Sequence, residues 1–118
     1  LDRAYSALID DLSDRGMLDD TLLIAMGEFG RTPKISNRAA REHHKDCYFS
    51  IWAGGGIEPG RVIGESDAKA EHPITRPITP LQVGTTIAEL CDIGARKRAE
   101  MKVLDGGSVI HGTMGLYV

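Results

Sequence analysis

The feature that most constrains the fold is an uninterrupted apolar run that follows an amphipathic helix. Apolar residues recur at helical spacing from Leu1 to Leu12, which predicts a helix over residues 2–15 that Gly16 ends. Thr21–Met26 is apolar throughout and has the length of a strand. Such a run is typical of a strand covered on both faces in a parallel sheet. A helix followed by a buried strand indicates an α/β fold.

The rest of the chain contains further signals of regular structure. They predict a second buried strand at Cys47–Ala53, which leaves the sheet through Gly54–Gly56, and a short edge strand at Arg61–Ile63. A helix is predicted from Thr79 (N-cap) and Pro80 to Gly94, with Val83, Ile87 and Leu90 on its buried side. A C-terminal hairpin is predicted around Asp105-Gly106-Gly107.

Composition narrows the classes of function. The 118 residues are 42% hydrophobic, enough for one globular domain over residues 1–118. A net charge of -3 without a concentrated basic stripe argues against nucleic acid as a partner. No apolar stretch approaches the roughly 18 to 20 residues of a membrane span. Cys47 and Cys91 lie far apart in apolar contexts, and we expect both to be buried thiols.

The first candidate site is the stretch MGEFGRTPK, residues 26–34, just beyond the first predicted strand. Ligands of open α/β sheets gather at the carboxyl ends of the strands. Glu28 stands there between two glycines, and Arg31 supplies a planar cation suited to phosphate, sulfate or carboxylate. Together they could hold a metal ion and an anionic group. The alternative is that Glu28 and Arg31 simply form an ion pair at the rim.

The second candidate site is REHHKD, Arg41–Asp46, which precedes the second predicted strand. Imidazole and carboxylate suit zinc, manganese or iron. Because adjacent side chains of an extended chain point in opposite directions, at most one of His43 and His44 is expected to be a ligand. A solvated polar patch is the simpler interpretation of this cluster alone. His72 and His111 have no partner spacing and are expected at the surface.

Taken together, the motifs MGEFGRTPKI, REHH, YFSIWAGGGI, RVIGESD, RPITPLQVGTTIAEL and VLDGGSVI closely resemble the C-terminal portion of domain-of-unknown-function family 1501. This bacterial family belongs to the alkaline phosphatase and sulfatase superfamily. The resemblance implies an α/β fold that is part of a three-layer α/β/α sandwich of the alkaline phosphatase type. We therefore expect the chain to be the C-terminal part of a larger domain, whose nucleophile and first metal-binding carboxylates lie in the N-terminal portion.

The resemblance also implies roles for single residues. Glu28 occupies the place of a metal-binding aspartate, and Phe29 replaces the second ligand of an aspartate-histidine pair. His43 matches the histidine of the family's Arg-Asp-His-Trp element, which reads Arg41-Glu42-His43-His44 here. A divalent metal, zinc, manganese or calcium, is then expected on Glu28 and His43, with Arg31 binding an anionic ester.

These expectations leave two hypotheses open. The chain is either the metal-binding portion of a hydrolase of sulfate or phosphate esters, or a non-catalytic domain that binds an anionic glycan or a protein partner. Because only part of a sheet is present, we expect exposed strand edges and exposed apolar patches, with self-association through the strand edges. Localisation is undetermined, although the resemblance implies a parent protein that is exported or periplasmic.

Overall fold

The computed structural model describes residues 1–114 and shows a mixed α/β protein. Its elements follow the order α1 (Asp2–Asp14), β1 (Leu23–Met26), β2 (Gly30–Arg31), β3 (His43–His44), β4 (Ser50–Ala53), α2 (Pro80–Leu90) and α3 (Ala95–Met101). A 3₁₀ turn at Leu18–Asp20 joins α1 to β1. β1 pairs with β4 in one two-stranded sheet, and β2 pairs with β3 in another. The chain divides into two compact units, one containing residues 1–23, 52–61 and those from 78 onward, the other residues 24–51 and 62–77.

Local sequence explains where the two long helices begin and end. At the end of α1 the Gly16 N–H donates to Ser13 O and the Met17 N–H to Leu12 O, which is a Schellman motif with Gly16 in the left-handed region. At the start of α2, Thr79 Oγ1 accepts from the Gln82 N–H at 3.2 Å, and Gln82 Oε1 accepts from the Thr79 N–H at 3.1 Å. This capping box confirms the predicted helix start.

The core of the first unit is small. Its buried apolar side chains are Leu12, Ala88 and Ile110, beside buried Thr85, Thr86 and Arg98. The predicted stripe of Val83, Ile87 and Leu90 is only half-buried. Many large apolar side chains are exposed, including Leu1, Phe49, Val62 and Ile74. The prediction of exposed apolar surface is therefore confirmed, while self-association stays a prediction.

Arg98 stabilises the turn between α2 and α3. Its Nη1 contacts Glu89 Oε1 and donates to Ile93 O at 2.8 Å, and its side chain is only 8% exposed. Because a buried charge is stable only with partners, these two contacts are what allow Arg98 to lie inside.

Several predictions about the fold are wrong. Helix α2 ends at Leu90, before the predicted Gly94, and small antiparallel pairs take the place of the predicted parallel sheet. β1 and β4 are shorter than expected and lie half in solvent, with Met26 47% and Ile51 38% exposed. Arg61–Ile63 forms no strand. Residues 103–110 form no hairpin, because Val103 N–H bonds Arg98 O to close α3 and Gly107 N–H bonds Leu104 O in a turn. Cys91 is exposed, although Cys47 is partly buried as a free thiol.

No helix in the described part of the chain is both long and apolar enough to cross a membrane. The alkaline phosphatase-like sandwich and the single domain over residues 1–118 stay predictions.

Candidate functional site

The candidate site is a small antiparallel hairpin in the second unit, within residues that showed no clear period in the sequence. Gly30 pairs with His44, and Arg31 pairs with His43. Residues directly opposite each other in an antiparallel pair extend to the same face, so the side chains of Arg31 and His43 are neighbours. A Cβ at Gly30 would lie 1.9 Å from Cys47 O, so the backbones approach each other too closely here for any side chain.

The loop between these strands, residues 32–42, is closed by a set of local hydrogen bonds. The Thr32 N–H donates to Glu42 O at 2.9 Å, and the Glu42 N–H donates to Thr32 Oγ1 at 3.1 Å. Arg41 Nη1 donates to Thr32 O at 2.7 Å and also to Pro33 O. These bonds fix the ends of the loop, so that β2 and β3 keep their register although 11 residues separate them.

Phe29 joins the two candidate residues. Its ring centroid lies 3.9 Å from that of His43 at an interplanar angle of 40°, and the guanidinium carbon of Arg31 lies 5.2 Å from the Phe29 centroid. Guanidinium over an aromatic face is attracted by about 0.5–1 kcal/mol at an exposed site. The contact therefore orients the exposed Arg31 side chain. It uses none of the guanidinium N–H donors, so these are available to solvent or an anion.

The structure brings together Arg31 and His43 but gives Glu28 no part in these contacts. Glu28 is exposed in the bend before β2. Among residues 1–114 no ion pair joins Glu28 to Arg31, so the rim-pair interpretation is not supported there. The sequence prediction did not recognise Phe29 as the connecting ring, although its position two residues before Arg31 is a signal for a shared face in extended chain.

Glu28 and His43 offer a divalent metal only one carboxylate and one imidazole. The described residues contain no group of three or more His, Cys, Asp and Glu side chains placed to hold an ion. Protein zinc sites use three or four protein ligands, so Glu28 and His43 alone do not make a complete site. Metal binding by these two residues stays a prediction that needs further ligands.

His44 serves a different role from His43. Its Nε2 donates to Glu71 O at 2.8 Å, which ties β3 to the loop of residues 65–74. That at most one of the two adjacent histidines is a ligand stays a prediction. In the same loop, Asp67 accepts from the N–H groups of Glu71 at 2.9 Å and Lys69 at 3.0 Å. The hydrogen bond from Glu71 is the main reason that the pKa of Asp67 lies below 3.8.

The same loop contains His72 and lies near Asp46 and Cys47. His72 is exposed, as predicted, but its Nδ1 lies 3.8 Å from Asp46 Oδ2, a partner that the sequence did not indicate. Burial raises the pKa of the Cys47 thiol, and the carboxylates of Asp67 and Asp46 raise it further. Cys47 is therefore a poor nucleophile at neutral pH.

The chain folds as a mixed α/β protein, and its second unit presents a hairpin that carries several basic side chains. A family model described as "Protein of unknown function (DUF1501)" matches residues 1–113. The chain therefore belongs to the DUF1501 family, which confirms the predicted family resemblance. Searches among curated proteins and among solved structures found no match.

Proposed function

We propose that this domain recognises the anionic group of a sulfate or phosphate ester, with Arg31 as the principal contact. The observation that carries the proposal is the placement of the exposed Arg31 guanidinium over Phe29 and beside His43 on one face of the hairpin. A planar guanidinium can give two parallel N–H bonds to two oxygens of a tetrahedral anion. The Phe29 ring limits the freedom of Arg31, which lowers the entropic cost of binding.

The wider proposal is that the domain is the C-terminal portion of a metal-dependent hydrolase of such esters, with the nucleophile outside these 118 residues and an alkaline phosphatase-like sandwich as the parent fold. Bound zinc, manganese or calcium would polarise the ester oxygens. Glu28 and His43 are the ligands that this chain would offer, together with carboxylates from elsewhere. The support for this proposal is the resemblance to the alkaline phosphatase and sulfatase superfamily; the family match by itself assigns no function.

The second candidate is a non-catalytic domain that binds an anionic glycan or a protein. Two observations favour it: the His43 ring packs against Phe29, and residues 1–114 contain no group of three metal-binding side chains. Arg31 has the same anion-binding role in both candidates. They differ in whether Glu28 is used, and in whether His43 binds a metal or the anion.

Titration calorimetry with 4-nitrophenyl sulfate and 4-nitrophenyl phosphate tests the anion site. Loss of a charge-assisted contact costs about 1.5–3 kcal/mol, so Arg31→Gln should weaken binding about 10- to 100-fold. Arg76→Gln removes an exposed arginine of the same unit and serves as the control. Equal affinities of the two variants would contradict the proposal.

Metal analysis and hydrolysis assays distinguish the two candidates. The hydrolase proposal requires that a full-length family protein containing this domain binds a divalent metal and releases 4-nitrophenol from one of the two esters. Both properties should be lost in Glu28→Gln and His43→Ala. Ester binding without metal or turnover, unchanged in Glu28→Gln, would support the binding domain instead.

A further inference from the structure

Charge is strongly segregated along this chain. Residues 30–45 contain five basic side chains against the single carboxylate of Glu42, a net charge of +4. Because the whole chain carries -3, the other 102 residues carry -7. The positive charge therefore coincides with the candidate hairpin, a local basic segment that we did not expect from the net charge of the chain. Of its basic side chains, Lys45 is paired with Asp46.

Three of the basic side chains lie in the loop between β2 and β3; Arg41 donates to backbone carbonyls of the loop, whereas Lys34 and Arg38 have no such bond among the described residues. Lys34 and Arg38 are both exposed. Within the described part of the chain neither has a carboxylate partner, whereas Lys45 has Asp46. Unpaired exposed cations are available to an anionic ligand without first breaking an ion pair.

The backbone that carries Lys34 and Arg38 is ordered. Lys34 O accepts from Thr32 Oγ1 at 3.0 Å, and the Arg38 N–H contacts Ser36 Oγ at 3.4 Å. The Ser36 N–H donates to Ala40 O at 2.8 Å, which closes the end of the loop. The two charges are thus presented from a closed loop, and less conformational entropy is lost on binding.

We propose that Lys34 and Arg38 form a second anion subsite, so that the preferred ligand is an oligosaccharide with several sulfate groups and not a single ester. This inference rests on the proposed anion site at Arg31. Three residues of chain, at most about 10 Å, separate Arg31 from Lys34. Anionic groups must therefore recur along the ligand on this scale to engage both subsites.

The sequence of the hairpin favours a sulfated glycan over a nucleic acid. The loop that carries Lys34 and Arg38, residues 32–42, contains no Phe, Tyr or Trp, the side chains on which the bases of single-stranded nucleic acid stack. The neighbouring ring of Phe29 is already in contact with Arg31 and His43. The net charge of -7 on the remaining residues would also repel a long polyanion that extends beyond the hairpin. A short, densely charged ligand avoids this repulsion.

The test compares a sulfated heparin-type octasaccharide with glucose 6-sulfate by calorimetry on the 118-residue chain. The octasaccharide should bind at least tenfold more tightly, because it engages both subsites. The double variant Lys34→Gln/Arg38→Gln should lose about tenfold in affinity for the octasaccharide and keep its affinity for glucose 6-sulfate. The control Lys69→Gln/Arg76→Gln makes the same charge change on exposed residues outside the hairpin.

Each remaining outcome would overturn a defined part of the argument. Equal losses in the two double variants would show that only net charge matters, and no second subsite exists. Binding of single-stranded DNA of the same charge as tightly as the octasaccharide would exclude the glycan assignment. Unchanged binding of glucose 6-sulfate by Arg31→Gln would instead contradict the proposed anion site, independently of the loop variants.

Discussion

Two adjacent threonines of α2 provide the sharpest test of the structure, because the same substitution should have opposite effects at them. Thr85 is 1% and Thr86 0% exposed. Thr86 Oγ1 donates to Gln82 O at 2.7 Å and accepts from the Ile110 N–H at 2.9 Å. Thr85 Oγ1 is buried and has no hydrogen-bond partner among residues 1–114. Replacement by valine keeps the branched shape of either side chain and exchanges the hydroxyl for a methyl group.

The expected magnitudes follow from these contacts. Thr86→Val leaves the N–H of buried Ile110 without an acceptor, which costs about 1–3 kcal/mol of the free energy of unfolding. Thr85→Val removes an unsatisfied hydroxyl, a gain of about 1 kcal/mol. The methyl that replaces Oγ1 would crowd Gly107, because a Cβ built on this glycine would lie only 2.0 Å from Thr85 Oγ1. This crowding reduces the gain. The two variants should therefore differ by about 1–4 kcal/mol.

Thermal and urea unfolding of both variants would measure this difference. About 1 kcal/mol corresponds to roughly 4 °C in a domain of this size, so Thr86→Val should melt roughly 4–12 °C below the wild type and Thr85→Val at or slightly above it. Helix propensity does not confound the comparison, since threonine and valine are similar in that respect. Equal destabilisation of the two variants would refute the hydrogen-bond assignment.

Three further outcomes are expected. Gly30→Ala should lower the melting temperature and abolish ester binding, because its Cβ would lie 1.9 Å from Cys47 O; a variant that melts and binds like wild type would contradict the hairpin. The pKa of Asp67 is lowered in the folded state, so its contribution to stability is present above about pH 4 and is lost as pH falls through the lowered folded pKa. Acid unfolding of Asp67→Asn should therefore depend less on pH than that of the wild type, and an unchanged profile would contradict the lowered pKa. Alkylation by iodoacetamide, followed by mass spectrometry, should be faster at exposed Cys91 than at Cys47, whose thiol has a raised pKa; the reverse order would contradict the placement of Cys47.

Helix ends that depend on a few neighbouring residues could be predicted from the sequence. Thr79, Pro80 and Gln82 contain the whole N-terminal signal of α2, and Gly16 contains most of the C-terminal signal of α1. Helix α3 was missed because ARKRAEM has no apolar stripe. Its buried contact is a charged one, made by Arg98 with Glu89, and such long-range pairs leave no periodic signal.

The candidate site was predicted by residue but not by arrangement. Arg31 and His43 were both identified, yet their pairing depends on the register of β2 and β3, which the closed loop of residues 32–42 sets. Phe29 was interpreted only as a lost ligand, whereas it contacts both Arg31 and His43. The pattern of residue types predicted an anion-binding chemistry that stays a proposal, and the contact of ring and cation became visible only in three dimensions.

The exit from β4 has a consequence for the evolution of this chain. Gly54, Gly55 and Gly56 have φ angles of 72°, 42° and 80°, and Cβ atoms at the first two would lie within 3 Å of Thr21 O and of Leu22. Only an achiral residue adopts such a path without strain at three successive positions. We expect no single substitution there to be neutral, so these three positions should tolerate few variants in a saturation library, whereas the exposed neighbours Glu58 and Arg61 should tolerate many.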